Sequence, residues 1–189
     1  TAISLKEQDT SRQEAAAAAK PMVSIVVPAY NESALIQENC KTLCNYMQSL
    51  EDRYTWELVL VNDGSTDETG DLMDEFAATR DNVQVLHHMF NFRLGQALRY
   101  AFKNCSGDYV VVMDNDLSYA PEHIERMLDK ITETRAKIVI ASPYMEGGQV
   151  SNVPFTRKLL SVWANRFICF FARDRFQDRL TTITGMVRA

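Results

Sequence analysis

Apolar runs and helical spacings alternate along most of the chain. Five runs are almost wholly apolar, as expected of strands that are buried on both faces of a sheet. They are VSIVV at 23–27, WELVLV at 56–61, VQVLHH at 83–88, DYVVVMD at 108–114 and KIVIAS at 137–142. Amphipathic spacing predicts helices at 33–50, 67–79, 94–104, 121–134 and 156–173. The alternation predicts an α/β fold, a Rossmann-like and mostly parallel sheet with helices on both faces.

Polar residues follow the first four predicted strands, and three of the four segments contain acids. In order they are Pro28-Ala29-Tyr30-Asn31-Glu32, Asn62-Asp63-Gly64-Ser65-Thr66-Asp67, then His87, His88 and Asn91, and last Asp114-Asn115-Asp116. In parallel sheets, ligands bind at the carboxyl ends of the strands. The sequence therefore predicts a single acid-lined binding site at this edge.

Asp114 and Asp116 allow two interpretations. Two carboxylates at a strand end can hold a hard divalent cation, Mg2+ or Mn2+, which would bridge a diphosphate and stabilise its charge as it leaves. Alternatively, Asp116 or Ser118 caps the helix that begins near Pro121. The Asp-x-Asp spacing alone is compatible with both.

Asp63 and Tyr30 also allow two interpretations each. The Asp63 carboxylate could accept a hydrogen bond from a nucleobase imide or a ribose hydroxyl, or it could belong to an Asp-Gly-Ser turn while Asp67 caps the next helix. Tyr30 could stack against a base or simply mark the strand exit. No GxGxxG follows the first strand and no GxxxxGK[ST] occurs, so the sequence lacks the dinucleotide-binding and P-loop motifs.

Composition and charge narrow the possible domain organisation and partners of the protein further. The 189 residues suffice for one domain, which we place at 21–189 after a flexible polar and alanine-rich arm at 1–20. A net charge of −5 argues against a nucleic-acid partner. Residues 151–189 carry seven Lys/Arg against two Asp/Glu, and 157–175 mixes these with aromatic residues. That stretch is either a packed helix or one that lies at a membrane surface.

The cysteines and the hydropathy indicate a cytoplasmic protein. Four cysteines without a CxxC pair suit a reducing compartment, and Cys40 and Cys44 have the spacing of a helix face. The sequence contains no apolar run of about 18 residues and no visible signal peptide. We expect the protein in the cytoplasm, with possible peripheral contact at the cytoplasmic face of the membrane.

Four motifs, in order, resemble those of family 2 glycosyltransferases. They are PAYNE at 28–32, VNDGSTD at 61–67, NFRLGQALR at 91–99 and MDNDLSYAPE at 113–122. The closer resemblance, over about 22–189, is to the polyprenyl-phosphate (dolichol-phosphate) mannosyl- or glucosyltransferase branch. It implies a GT-A fold, a nucleotide-sugar donor, a divalent cation and inversion at the anomeric carbon. It also leads us to expect a C-terminal continuation, often with membrane helices.

The resemblance implies roles for named residues. Those implied at the nucleotide sugar are Pro28, Ala29, Tyr30, Glu32, Asp63, Asp114 and Asn115. Asp114 and Asp116 are the implied metal ligands, with Asp116 the more direct and also catalytic. Asp178 and Arg188 match an Asp…Gly-Phe-Arg signature, and Arg188 would assist the leaving diphosphate. Arg157 and Lys158 would orient the acceptor phosphate.

The chain also departs from the family pattern. Ser118 stands where mannosyltransferase relatives often have Gln, Arg93 stands where many have Gly, and Pro143 replaces an Arg. These differences leave the donor open, UDP- or GDP-linked, and likewise the sugar. The absence of QxxRW argues against a processive synthase.

The predicted function is therefore metal-dependent, inverting sugar transfer from a nucleotide sugar to an acceptor, expected to be a polyprenyl phosphate. Two alternatives remain open. The acceptor could be a saccharide hydroxyl, with Asp178 as the general base, or the chain could be a non-catalytic nucleotide-sugar-binding module. The sequence does not indicate an oligomeric state.

Overall fold

The structure is a computed structural model that describes residues 20–141 and 184–188. Its strands and helices alternate in the predicted order. They are β1 Met22–Ala29, α1 Ile36–Gln48, β2 Thr55–Asn62, α2 Thr69–Ala77, β3 Val83–His87, α3 Leu94–Phe102, β4 Tyr109–Val112, α4 Glu122–Thr134, β5 Ile138–Ala141 and β6 Thr184–Arg188. The helix predicted at 156–173, the arm at 1–19 and Pro143 lie outside the described residues.

The strands form one sheet in the order β3-β2-β1-β4-β6-β5. β1 pairs in parallel with β2 and β4, and β2 pairs in parallel with β3. β6 runs antiparallel to β4, with Arg188 opposite Tyr109. The mostly parallel α/β sheet is therefore confirmed, whereas the sequence pattern did not predict β6. Residue contacts divide the chain into two units, one of Thr1–Val139 with Gly185–Ala189 and one of Ile140–Thr184. The site described below belongs to the first unit.

Both faces of the central strands are covered. On one face, Ala97 and Ala101 of α3 join the cluster of Val26, Val59, Val61, Val110 and Val112. The alternate residues of β1 and β2, including Ile25 and Leu58, are also almost completely buried, so the opposite face is covered as well. Burial on both sides explains why these strands are continuously apolar rather than alternating.

One face of each longer helix supplies the rest of the core. α1 buries Ile36, Cys40, Leu43, Cys44 and Met47, and α4 buries Ile124, Met127, Leu128 and Ile131. Spacings of three and four residues place these side chains on a single stripe. The stripe pattern is the reason that the sequence predicts these helices well.

A hydrogen-bond cluster holds the amino-terminal ends of the central strands together. The Ser24 hydroxyl donates to Glu57 Oε1 at 2.5 Å, and the Ser106 backbone N–H donates to the same oxygen at 2.6 Å. The Gly107 N–H donates to Ser24 Oγ at 2.9 Å. These bonds connect β1 and β2 to the loop that precedes β4. They lie at the end of the sheet opposite the acid-bearing strand ends, so they serve the fold.

Candidate functional site

A cavity of about 590 Å3 opens at the carboxyl ends of β1, β2 and β4. Its lining residues are Pro28, Ala29, Tyr30, Glu32, Asp63, Asn91, Arg93, Leu94, Ala97, Asp114, Asn115 and Asp116. The first four acid-bearing or polar segments singled out in the sequence thus meet at one place, as the parallel topology predicts. Asp178, Arg157 and Lys158 lie outside the described residues, and Arg188 lies in β6.

The loops after β1 and β2 are tied together by Asn31. Its backbone N–H donates to Ser65 Oγ at 3.1 Å, and its Oδ1 accepts from the Thr66 N–H at 2.8 Å. Asn31 has a φ of 54°, a left-handed conformation that asparagine tolerates better than most residues. The two loops therefore form a single wall beside Tyr30, which is 44% exposed.

Asp67 reinforces the same wall. Its Oδ1 accepts from the Thr69 backbone N–H at 3.0 Å and from the Thr69 hydroxyl at 2.5 Å, and its Oδ2 accepts from the Ser33 N–H at 3.2 Å. These hydrogen bonds, with the Thr69 hydroxyl contributing most, lower the pKa of Asp67 to about 2. The N-cap residue of α2 is Glu68, without a side-chain capping bond, so the prediction that Asp67 caps this helix is wrong. Asp67 instead bonds to Thr69, the first residue of α2, and holds the loop after β1.

Asp63 is buried, and its carboxylate contacts the segment after β3. Oδ1 lies 2.7 Å from His88 Nδ1 and accepts from the Phe92 backbone N–H at 3.0 Å. Oδ2 has no hydrogen-bond partner among the described residues. The Asp63 carboxylate is therefore oriented by protein groups on one oxygen and keeps the other for a ligand.

The turn that follows β2 is made by the neighbours of Asp63. Asn62 Oδ1 accepts from the Ser65 N–H at 2.9 Å. Gly64 has a φ of 70°, and a Cβ at this position would overlap the backbone of Phe90 and Asn91. Because Asn62 and Gly64 form the turn, the structure does not support a turn role for the Asp63 carboxylate.

The sequence interpretation missed the role of His88. Its ring stacks on Tyr100 with a centroid distance of 5.2 Å and meets the edge of Phe92 at 5.1 Å. The sequence places His88 after a predicted strand, but its partner depends on the register of β2 and β3, which sets Asn62 beside His87. The next residue of each strand end, Asp63 and His88, then come together.

Asp116 does not cap α4. Its Oδ1 accepts from the Ser118 backbone N–H at 2.9 Å and from the Ser118 hydroxyl. α4 begins at Glu122 with Pro121 as its N-cap residue and without a side-chain capping bond. The helix-cap interpretation of Asp116 and Ser118 is therefore wrong. Asp116 is an exposed residue of the cavity lining, and its second carboxylate oxygen has no hydrogen-bond partner among the residues that the structure describes.

Negative charge accumulates in the centre of the cavity. Burial, followed by the Asp116 charge, raises the pKa of Asp114. Burial also raises the pKa of Glu32, and the charges of Asp116, Asp114 and Asp67 add to this rise, whereas the Asn115 hydrogen bond opposes it. Each of these shifts reports a carboxylate that would be stabilised by a nearby cation.

Asn115 links the two acidic segments. Its Nδ2 donates to Glu32 Oε2 at 2.5 Å, and its backbone carbonyl accepts from Asn39 Nδ2 at 2.6 Å. Its Oδ1 is buried and has no hydrogen-bond partner among the described residues. An unsatisfied buried amide oxygen is costly, so this atom is a candidate acceptor for a ligand or for water.

The residues fit a divalent cation that takes some of its ligands from the protein and the others from water and a substrate. Within 20–141 and 184–188, no group of three or more His, Cys, Asp or Glu side chains surrounds a possible metal position. Mg2+ commonly takes only one or two carboxylates and completes its octahedron with waters and substrate phosphates. Asp114 and Asp116, which line the cavity at the end of β4, offer those two carboxylates.

Arg93 adopts an unusual backbone conformation in the cavity wall. Its φ is 69° and its ψ is 164°, a combination that is almost confined to glycine. A non-glycine residue pays on the order of 1–3 kcal/mol to hold such a conformation. The guanidinium is exposed and makes no hydrogen bond or ion pair with the other described residues.

The fold and the acid-lined cavity define a GT-A glycosyltransferase domain. The chain belongs to glycosyl transferase family 2, whose sequence profile matches residues 24–188. The family resemblance noted in the sequence is thereby confirmed, and it includes every described strand end of the site.

Three similar proteins transfer sugars to lipid phosphates according to their names. The dolichol-phosphate mannosyltransferase of Pyrococcus furiosus is 37% identical over 74% of this chain and 38% of its own length. The polyprenol monophosphomannose synthase of Mycolicibacterium smegmatis is 32% identical over 87% of this chain and 61% of its own. The undecaprenyl-phosphate mannosyltransferase of Micrococcus luteus is 33% identical over 88% of this chain and 65% of its own length. This chain therefore spans less than two thirds of these relatives.

Solved structures show the same fold. A mannosyltransferase from Pyrobaculum calidifontis in complex with GDP-Man and Mn2+ matches with a TM-score of 0.55 at 24% identity, covering 67% of this chain and 37% of that one. Glucosyl-3-phosphoglycerate synthase from Mycobacterium tuberculosis, in complex with Mn2+ and uridine-diphosphate-glucose, matches with a TM-score of 0.56 at 21% identity, covering 100% and 61%. None of the helices described here is both long and apolar enough to span a bilayer.

Proposed function

We propose that this chain is the catalytic domain of an inverting, metal-dependent glycosyltransferase. It would move a sugar from a UDP- or GDP-linked donor to a polyprenyl phosphate. The observation that carries the proposal is the meeting of Asp63, Asp114 and Asp116 in one cavity at the strand ends. The names of the three relatives support the lipid-phosphate acceptor, and the Mn2+ complexes of two structural neighbours support the divalent cation.

The donor would lie along the strand ends with its nucleoside on the β2 side. Tyr30 offers an exposed ring for stacking on the base, and Asp63 offers its free Oδ2 to an N–H or O–H donor. Pro28 and Ala29 line the same cavity. Glu32 and Asn115, joined by their hydrogen bond, would position the sugar or the ribose.

Asp114 and Asp116 would hold the Mg2+ or Mn2+ ion on the β4 side. When bound there, the cation supplies charge stabilisation for the departing diphosphate. Asp116 is fixed for this role by its bonds to Ser118, which commit one carboxylate oxygen and leave the other for the metal. Arg188, whose strand β6 pairs with β4, would add positive charge to the same leaving group.

The acceptor determines whether a base is needed. A lipid phosphate is already anionic near neutral pH, so its oxygen can attack the anomeric carbon directly once it is positioned. The C1–O bond to the diphosphate breaks as the new C1–O bond forms on the opposite face, which inverts the configuration. Arg157 and Lys158 are our candidates for orienting the phosphate. A saccharide hydroxyl would instead require a base, for which Asp178 is the candidate.

A lipid acceptor also implies a location. We propose that the protein works in the cytoplasm, in peripheral contact with the cytoplasmic face of the membrane, where the basic and aromatic stretch at 157–175 could lie at the lipid surface.

Calorimetry provides the first test. UDP, GDP, UDP-glucose and GDP-mannose are titrated into the chain with Mn2+ and with EDTA, for wild type, Asp116→Asn and the surface control Glu133→Gln, whose carboxylate is 71% exposed beside Lys130. We expect Mn2+-dependent binding of one nucleotide by wild type and the control, and loss of the Mn2+ dependence in Asp116→Asn. Metal-independent binding by all three proteins would refute the metal role, and no binding by folded wild type would refute the donor site.

A transfer assay tests the acceptor. Radiolabelled donor sugar is offered with undecaprenyl or dolichyl phosphate in detergent, and the organic phase is counted. We expect label in the lipid fraction with wild type and Glu133→Gln and background with Asp116→Asn. Donor binding without transfer to any lipid phosphate, but with transfer to an oligosaccharide, would replace the lipid acceptor by a saccharide hydroxyl.

A further inference from the structure

Exposed apolar side chains are concentrated between the end of β3 and the end of α3. Six of the ten large apolar side chains that are exposed in the described part of the chain lie within 89–102. They include Met89, which is 86% exposed, and Phe90, which is 67% exposed, side by side in the loop between β3 and α3. Single exposed apolar side chains are ordinary, whereas a cluster of them marks an interaction surface.

α3 buries its small side chains and exposes its large ones. Ala97 and Ala101 pack against the sheet and are fully buried. The outer face carries Gln96, Arg99, Tyr100 and Lys103, whose spacings of three and four residues place them on one stripe. A helix that packs only against its own domain has the opposite distribution, with its large apolar residues turned inward. The outer face of α3 is therefore suited to contact with another body.

The loop and the outer face of α3 meet in a separate cavity of about 440 Å3. No acidic residue lines it. We use the name β3–α3 surface for six of the lining residues, Met89, Phe90, Phe92, Arg99, Tyr100 and Lys103. Apolar and basic side chains thus share one continuous surface.

This surface is positively charged in an acidic protein. Residues 82–107 contain no Asp or Glu, although the whole chain contains 25 and has a net charge of −5. Arg99 and Lys103 are exposed and make no hydrogen bond or ion pair with other residues that the structure describes. The carboxylates of Asp63 and Asp74, which do reach this segment, contact its two histidines instead. The two cations are therefore available to an anionic partner.

We infer that the β3–α3 surface docks on a lipid bilayer that contains anionic phospholipids. Met89 and Phe90 enter the boundary between headgroups and acyl chains, while Arg99 and Lys103 contact the lipid phosphates. A bilayer presents an apolar layer directly beneath a layer of phosphates, so it matches both kinds of side chain at once. The inference rests on the peripheral membrane contact proposed above, and it adds the surface and the lipid class.

Docking at this surface would bring the acid-lined cavity to the membrane. Asn91, Arg93 and Leu94 line that cavity, whereas Phe90 and Phe92 line the separate one. The segment 90–94 is therefore a wall that both cavities share. A bilayer on one side of this wall places the acid-lined cavity beside the headgroup layer, where the phosphate of a lipid acceptor lies.

Vesicle co-sedimentation tests the inference. The vesicles contain either phosphatidylcholine alone or equal parts of phosphatidylcholine and phosphatidylglycerol, at low and at high salt. The charge variant is Arg99→Gln with Lys103→Gln. Its matched control, Lys41→Gln with Arg126→Gln, removes two exposed cations from α1 and α4. We expect wild type and the control to bind the anionic vesicles only, and less tightly at high salt. The charge variant should bind them roughly tenfold to thirtyfold more weakly, at about fivefold per charge.

The apolar tip has its own variants. Met89→Ser with Phe90→Ser should bind anionic vesicles roughly tenfold more weakly, with unchanged thermal stability because both side chains are exposed. Phe90→Trp places a fluorophore at the tip. Its fluorescence should be quenched by brominated acyl chains in anionic vesicles, beyond the quenching seen with wild type. Absence of this additional quenching would show that Phe90 does not enter the bilayer and would overturn the inference.

The remaining outcomes separate this inference from the proposed function. Vesicle binding that is as strong in the charge and tip variants as in wild type would assign the membrane contact to another surface, such as 157–175, and would overturn the inference alone. Failure of wild type to bind any vesicle would refute the peripheral membrane contact as well. Light scattering that shows a wild-type dimer and monomeric variants, without vesicle binding, would identify a second copy of the chain as the partner instead.

Discussion

His88 Nδ1 and Asp63 Oδ1 lie 2.7 Å apart, with the Asp63 side chain buried and the His88 side chain 13% exposed. Asp63 directly follows β2 and His88 directly follows β3, so the bond joins two loops that are separated in sequence. The histidine is held in turn by its stacking on Tyr100. The position of the Asp63 carboxylate is therefore set from β3 and α3 as well as from its own strand.

His88→Ala should weaken nucleotide binding by roughly tenfold to hundredfold, because it removes a hydrogen bond to a charged group and lets Asp63 rotate. His88→Asn, which keeps a donor near the Nδ1 position, should recover part of the loss. Calorimetric titration measures both. The adjacent His87→Ala is the matched control, since His87 contacts Asn62 and Asp74 outside the cavity. Equal losses at His87 and His88 would contradict a specific role.

Replacing Gly107 or Gly95 by alanine should change the free energy of unfolding in opposite directions. A Cβ on Gly107 would come within 2.6 Å of the Ser24 backbone nitrogen and 2.9 Å of the Met22 carbonyl oxygen, so Gly107→Ala should lower the free energy of unfolding by about 1–3 kcal/mol. A Cβ on Gly95, in α3, meets nothing within 4 Å, and Gly95→Ala should raise it by up to about 1 kcal/mol. Urea denaturation compares them. A destabilised Gly95→Ala would show that α3 requires glycine for another reason.

Glu32→Gln should stabilise the metal-free protein at neutral pH. The folded-state pKa of Glu32 is raised, so its contribution to stability is fully present below the ordinary pKa of 4.5 and is lost as the pH rises through the folded-state pKa. A glutamine side chain does not ionise, so the variant does not lose stability in this way as the pH rises. The gain should stay below about 1 kcal/mol because the half-buried group is partly screened by solvent.

Urea denaturation in EDTA at pH 4 and pH 7 measures the Glu32→Gln difference. We expect the variant and the wild type to converge at the lower pH. A difference of equal size at both pH values would show that the charge of Glu32 is not its source. Glu38→Gln on the exposed face of α1 provides the control.

Cys40 should resist alkylation in the folded protein. Burial, aided by the neighbouring Cys44, raises the pKa of Cys40 to about 12 from 9.0. At pH 8 the thiolate fraction is then roughly a thousandfold lower than for an ordinary thiol. Because the folded state retains the proton, stability should also fall as the pH rises above 9. Iodoacetamide labelling followed by peptide mass spectrometry, with and without urea, measures the effect. Equal labelling rates in both conditions would contradict it.

The order of strands and helices was predictable because burial on two faces leaves a simple signature. Apolar runs such as 58–61, separated from one another by helical spacings, are typical of strands that are buried on both faces. The convergence of the acid-bearing segments followed from topology alone, since parallel strands end at the same edge. For these reasons the sequence alone predicted that Tyr30, Asp63 and Asp114 would lie at one edge of the sheet, where they line the cavity.

The exceptions are features that depend on pairing across long separations. β6 has five residues, Thr184–Arg188, which include a glycine and carry no distinctive spacing, so only its partner β4 defines it as a strand. The bond between His88 and Asp63 required the register of β2 and β3. The sequence allowed Asp116 to be either a helix cap or a metal ligand in the cavity. The bond of Asp116 to Ser118 and the start of α4 at Glu122 exclude the helix cap.

The antiparallel pairing of β4 with β6 has a consequence for biogenesis. About 70 residues separate the two strands, so during synthesis β4 leaves the ribosome well before its second neighbour. Until then its backbone is paired only with β1, and the edge that carries Val110 and Val111 is open to other chains. Pairing over so long a separation is slow. The strand that leads into Asp114 and Asp116 therefore keeps an unpaired edge until late in translation.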